Sequence, residues 1–232
     1  MTMRILAIES SAKSAGAALT DGEKLICESF LDAGFTHSKT LLAMVDNVLE
    51  LSGASLESVE GIAVNSGPGS FTGIRIAAAL VKGLAFKNNI PVCGVSTLES
   101  IAYNFRDEDC LVCPCIDARC ERVYTSLFRC SGGRVERLKE DTAATVDGMR
   151  EMLDGLDEKI YIAGDGAGIY FDKLRDIENI FLPSERRRIQ NAYSVALAST
   201  GGEFRDSSEL VPVYLRLSQA ERERNERRMK HE

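Results

Sequence analysis

Glu9-Ser10-Ser11 and Asp117-Ala118-Arg119 each place a carboxylate at the end of a strand-like run, MRILAIE and CLVCPCID. Hydroxyls and backbone N–H groups at such a bend suit a phosphate, and an acid beside them suits the cation that accompanies it. Either stretch alone reads better as a polar strand end; it is their pairing that points to a cleft. Glycine turns stand at two further strand ends, Gly67-Pro68-Gly69-Ser70 and Gly164-Asp165-Gly166-Ala167-Gly168, each ahead of a helical run. A helix N-terminus favours an anion. The first turn nevertheless lacks the Lys-Ser/Thr pair of a Walker loop. Gly69 and Gly73 also stand one residue too far apart for the dinucleotide fingerprint. On chemistry alone it reads as a structural turn.

Other reactive residue types give weaker patterns. Cys110, Cys113, Cys115 and Cys120 lie close together, but no second CxxC or histidine accompanies them, and buried cysteine commonly acts as a small hydrophobe. The odd total of seven cysteines argues for reduced thiols rather than a disulfide framework. The only histidines are His37, at a helix start, and His231, in a polar tail, and neither has a nucleophile placed beside it in the sequence.

The elements that must position these residues repeat. Residues 3–9, 16–20 and 24–30 read as three strands, the last two joined by the Asp21-Gly22 turn. Leu41, Leu42, Val45, Val48 and Leu49 recur at helical spacing, and Gly53 follows as a stop. A strand over 61–65, the first glycine turn, a helix over 72–87, a strand over 90–95 and a helix over 97–105 complete the unit. The order then begins again. Strands are expected over 110–117, 123–130 and 134–139, a helix over 145–156, a strand over 159–163, and a helix after the second glycine turn.

A unit of about a hundred residues is too long for a solenoid. Two like α/β halves, 1–105 and 106–205, are expected to face one another across a cleft, followed by a C-terminal segment and charged tail, 206–232. Ligands of open α/β sheets bind beyond the carboxyl ends of the strands. The helix over 72–87 is apolar nearly all round, so it is either sandwiched in its own half or a contact helix. The last fifteen residues, SQAERERNERRMKHE, read as a solvated helix with surface ion pairs or as a frayed tail.

A net charge of −7 supplies no field to gather nucleic acid. No apolar run approaches the ~18 residues needed to cross a bilayer. The N-terminus shows no signal-peptide pattern, and a cytoplasmic protein without a membrane role is expected.

ILAIESS (5–11), HSKTLL (37–42), NSGPGSFTGIRIAAALVKGLA (65–85), GVSTLE (94–99), DARCERVY (117–124) and PVYLR (212–216) together resemble the TsaB (YeaZ) family. The resemblance implies the actin-like fold of sugar kinases and Hsp70 ATPases, two similar βββαβα halves around a cleft. It implies a non-catalytic scaffold that binds and activates TsaD, with TsaE joining, in formation of N6-threonylcarbamoyladenosine on tRNA. Contact with tRNA would then be indirect, and a homodimer would form when TsaD is absent. The catalytic relative TsaD carries a His-x-Glu-x-His metal helix where this chain has Thr97-Leu98-Glu99-Ser100-Ile101. The same absence counts against the older glycoprotease label.

In the family, the helix after HSKTLL and the helix after the glycine turn form the TsaD contact. This assigns His37, Leu41, Leu42, Val45, Val48, Ile74, Ala77, Ala78 and Val81 to a partner interface. Glu9, Ser10, Ser11, Asp117, Gly164 and Gly166 would line a vestigial nucleotide cleft. No cofactor is expected in the isolated chain, with ATP or ADP held, if at all, by the assembled complex. Glu9 and Cys120 depart from the family's usual residues. The alternative is a small ATP-dependent phosphotransferase using Glu9, Asp117 and the second glycine turn.

Overall fold

The computed structural model describes residues 2–34 and 36–216. The histidine and charged stretch expected in the last fifteen residues lie outside them. In the first half the elements are β1 (Arg4–Glu9), β2 (Ala15–Asp21), β3 (Lys24–Leu31), α1 (His37–Leu51), β4 (Gly61–Gly67), α2 (Phe71–Asn88), β5 (Val92–Ser96) and α3 (Thr97–Ala102). The second half contains β6 (Cys110–Asp117), β7 (Val123–Ser131), β8 (Arg134–Ala144), α4 (Val146–Leu153), β9 (Ile160–Ala163), α5 (Ala167–Lys173), β10 (Ile180–Phe181), α6 (Glu185–Arg188) and α7 (Ala192–Ser199).

The sheets have the orders β3-β2-β1-β4-β5 and β8-β7-β6-β9-β10, one the repeat of the other. In each, the opening three strands pair antiparallel and the last two join in parallel. This is the doubled α/β arrangement of the actin-like fold. The central strands β1 and β6 are almost wholly buried, which is why they read as unbroken apolar runs rather than alternations. The edge strand β8, RVERLKEDTAA, carries charges that blunt its free edge. It runs on to Ala144, beyond the expected end at 139.

Each sheet is covered on both faces. α1 and α2 pack one face of the first sheet through Leu41, Val45, Val48, Ala77, Val81 and Ala85. Its other face is covered by α7, whose Ala192, Val195 and Ala196 meet Ile5, Ala7, Ala18 and Ala63. The second sheet is covered by α4 and α5 on one face and by α3 on the other, where Leu98, Ile101 and Ala102 meet Val112, Tyr124 and Phe128. The last helix of each repeat thus closes the sheet of the other. A boundary at residue 105 separates the repeats in sequence but not in packing.

Two caps explain local starts. The Ser70 side chain accepts from Gly73 N–H at the head of α2, and Asn191 does the same for Ser194 at the head of α7. α6, α7 and β10 were not anticipated from the sequence. Asn191 ahead of AYSVALAS was the available signal for α7.

Candidate functional site

The carboxyl ends of β1 and β6 and the first turn of α2 enclose a cleft of about 410 Å³. Ser11, Lys13, Ser70 and Thr72 line it from the first half, and Asp117, Arg119, Tyr124 and Asp165 from the second. Of the residues expected to form it, Ser11 and Asp117 face the cleft. Glu9, Ser10, Gly164 and Gly166 lie beneath its walls.

Glu9 is sealed off, at 0% exposure. Its Oε1 accepts from Ser11 N–H at 2.7 Å and from Ser11 Oγ–H at 2.6 Å, and Asn65 Nδ2 donates to Oε2. Burial pushes its carboxyl up to about 7, against the lowering effect of those bonds. A carboxyl so enclosed organises the strand end, and the reading of Glu9 as a ligand to cation or nucleotide is corrected on that ground.

Asp165 behaves differently. It stands on the cleft wall, open to solvent at its tip, where the enclosing protein and the neighbouring charge of Asp117 raise it to about 6, while Lys13 opposes the rise. Two adjacent carboxylates with Lys13 and Arg119 near them suit a cation or a polar group better than a bare phosphate.

The first glycine turn borders the cleft through Gly69 and Ser70, but its glycines are set by packing. A Cβ at Gly69 would stand 2.3 Å from Ser11 O, and one at Gly73 2.0 Å from Ser10 O. Ser70 N–H donates to Ser11 O at 2.7 Å and Ser10 Oγ donates to Gly73 O at 2.9 Å. The glycines therefore let the head of α2 press against the end of β1. His37 Nε2 ties the start of α1 to the same bend through Ala12 O at 2.8 Å.

The second wall is built from an unusual loop. Arg119, Cys120 and Glu121 all have positive φ, and Asp117 Oδ1 accepts from Arg119 N–H at 2.8 Å. A C-terminal strap, residues 210–216, secures it. Leu210 enters the first core, Val213 N–H donates to Ser66 O at 2.8 Å, and Tyr214 stacks on Phe71 at 4.4 Å with Arg75 over both rings. Arg216 then donates from Nη1 to Ala118 O at 2.8 Å and Arg119 O at 3.1 Å. The strap was unread from sequence as a structural element, because its partners are far away in the chain.

The helix residues divide in two. Leu41, Val45, Val48, Ile74, Ala77 and Val81 are at most 1% exposed and belong to the chain's own interior, which corrects their assignment to a partner interface. Leu42 is half exposed, His37 and Ala78 are partly buried, and the stripe Ala79, Gly83 and Phe86 faces outward. Phe86, at 82% exposure, was missed because an apolar helix does not reveal which side is covered. In Thr97-Leu98-Glu99-Ser100-Ile101, Thr97 and Ile101 are buried and Glu99 pairs with Arg137 at 2.9 Å. Among the described residues, no group of three or more His, Cys, Asp or Glu side chains is arranged to hold a metal ion.

Comparison with known proteins bears on these features. Residues 32–184 match the family model of TsaD, tRNA N6-adenosine threonylcarbamoyltransferase. The chain is 32% identical over 221 residues to the tRNA threonylcarbamoyladenosine biosynthesis protein TsaB of Bacillus subtilis, covering 94% of this chain and 96% of that protein. It is 38% identical over 130 residues to the Escherichia coli protein of the same name, covering 55% of each. The solved structure of YeaZ from Pseudomonas aeruginosa superposes with a TM-score of 0.79 at 27% identity, covering 92% of this chain and 100% of that one.

Proposed function

The chain belongs to the TsaB family, and from that premise we propose that it is a non-catalytic accessory subunit that binds and activates a TsaD-type enzyme in threonylcarbamoyladenosine formation on tRNA. The observation that carries this reading is the outward stripe of α2. Ala79, Gly83 and Phe86 are uncovered while the opposite side of the same helix is fully packed, with Leu42 of α1 also outward. Small residues beside one exposed aromatic form an anchor-and-socket surface suited to a helical partner.

The match of this chain to the TsaD family model supports a partner of like architecture. A surface that receives a relative can also receive a second copy, so the homodimer is the state proposed when TsaD is absent. TsaE joins the complex, and tRNA is engaged through the assembly. Activation follows from tighter binding to one conformational state of TsaD, since a partner shifts an equilibrium only by differential affinity. Any ATP or ADP is held by the complex rather than by this cleft alone.

Light scattering of the chain mixed with the TsaD of its own organism tests the reading. A heteromer is expected, and Phe86→Glu is expected to weaken it by at least about 30-fold, the scale of a lost aromatic anchor. Circular dichroism should remain unchanged, because the side chain is outside the core. Absence of a heteromer under every nucleotide condition, or failure to raise TsaD turnover, would overturn the proposal.

The cleft favours a second reading, a small ATP-dependent phosphotransferase, through Asp117, Asp165 and Lys13 on facing walls. ATP turnover by the isolated chain, lost on Asp117→Ala, would support it over the first.

A further inference from the structure

Cys110 opens β6 and is the cross-strand partner of Cys130, the penultimate residue of β7. The N–H of Leu111 turns away to Lys159 O, on the side of β9. Cys110 and Cys130 therefore form a hydrogen-bonded antiparallel pair, a site where Cα atoms lie about 5.5 Å apart. That Cα span is within the range disulfides bridge, and the Cβ atoms of such a pair, about 5.5 Å apart, draw in by about 1 Å as the bond closes. Both side chains enter the same apolar cluster, where Cys130 Sγ also donates to Ala102 O at 3.5 Å.

Their surroundings hold them together just beneath an exposed turn. One residue further out, Ser131 Oγ donates to Asp109 Oδ1 at 2.7 Å, pinning the two strand ends. The turn beyond, Ser131-Gly132-Gly133, is exposed, and Cys110 itself retains 5% exposure as the first residue of its strand. Arg187, Lys159 and Glu108 surround Cys110, and both cations pair with the single carboxylate. The Cys110 thiol is held below its ordinary value, first by the neighbouring Cys130 and then by Arg187 and Lys159, against burial and Glu108, which favours the reactive thiolate.

We propose that Cys110 and Cys130 are a reversible redox pair that closes to a cross-strand disulfide on meeting a peroxide oxidant. The Cys110 thiolate attacks one peroxide oxygen, the O–O bond breaks, and Cys110 becomes a sulfenic acid as the other oxygen leaves as water after taking a proton. The Cys130 sulfur then displaces the sulfenic hydroxyl, which departs as water with the Cys130 proton. Two thiols and one hydrogen peroxide give one disulfide and two waters. A dithiol reductant reverses the reaction.

Cys113 and Cys115 provide an internal contrast. They stand two residues apart on one strand, both at 0% exposure, with Cys113 bonded to Thr125 Oγ1 at 3.3 Å. Residues so placed lie about 6.6 Å apart, at the outer limit of disulfide geometry.

The test exposes the reduced full chain to hydrogen peroxide, blocks remaining thiols with iodoacetamide, and maps tryptic peptides by mass spectrometry. Cleavage isolates CSGGR, residues 130–134, from DEDCLVCPCIDAR, residues 107–119. The expected product is a cross-link between these peptides that fragmentation assigns to Cys110. It should vanish with dithiothreitol and persist in Cys120→Ser, and the oxidised chain should melt higher than the reduced one. In Cys130→Ser the cross-link should be replaced by a sulfenic acid at Cys110 that dimedone traps. The proposal is overturned if the link runs through Cys113, Cys115 or Cys120. It is also overturned if Cys110 reaches sulfinic acid while Cys130 is alkylated, or if the link forms only in urea. Should the serine variant fail to fold, the wild-type map decides alone.

Discussion

Replacing Glu9 by glutamine tests the chemistry of the strand end directly. Burial raises the folded-state carboxyl to about 7 from an ordinary 4.5. The folded chain therefore keeps a proton that the unfolded chain releases. Between those values the unfolded state binds fewer protons, so stability falls as pH rises. The contribution is fully present below the unfolded value and lost as pH passes through about 7. At about 1.4 kcal/mol per tenfold change in proton affinity, the loss amounts to about 3 kcal/mol.

Glutamine keeps the shape and removes the titration. Its Oε1 can still accept both bonds from Ser11, while its Nε2 faces Asn65, whose Oδ1 has no partner and whose amide can turn over to accept. Urea unfolding of both proteins from about pH 4 to about pH 9 should give a difference curve that climbs through this window. It should favour Glu9→Gln by about 3 kcal/mol near pH 8. A flat difference curve, or one that favours the wild type at high pH, would mean that Glu9 is ionised in the fold and would refute the reasoning.

Two further substitutions probe the cleft walls. Gly73→Ala would set a methyl 2.0 Å from Ser10 O, a backbone atom that cannot rotate aside. A loss of about 3 kcal/mol in chemical denaturation is expected, and a loss under about 1 kcal/mol would show that the two segments are not in close contact. Arg216→Ala removes two bonds to the 118 and 119 carbonyls and should cost about 1 kcal/mol. Hydrogen exchange should accelerate across 117–122, and unchanged exchange there would separate the strap from the loop.

Legibility in the sequence followed the range of the forces involved. Local chemistry marked most boundaries: Asp21-Gly22, Gly53 and Ser131-Gly132-Gly133 stop or turn the chain at the positive φ angles of their glycines. The apolar runs of β1 and β6 announced central strands. The doubled order of elements was readable before any coordinate. Long-range contacts were not. The role of Gly73 depends on Ser10, far earlier in the chain, and nothing near Glu9 signals that Asn65, itself held by Ser100, will meet it. For α2, hydrophobicity told that the helix is covered, but only packing separates Val81, which is interior, from Phe86, which is bare. Lys13 and Asp165 stood beside recognised motifs, yet only the facing of the two halves makes them neighbours.

The crossing of α3 and α7 speaks to how such a chain can have arisen. A single copy of the repeat would leave one face of its sheet bare and much of its final helix uncovered. The deficit is repaired when two copies exchange those helices about a twofold axis, as in a domain-swapped dimer. Joining the copies end to end preserves the exchange within one molecule. From then on, the two halves are free to diverge on their outer faces, one keeping an uncovered α2 stripe and the other a charged edge strand, while the mutual embrace of the inner helices holds their cores to a common plan.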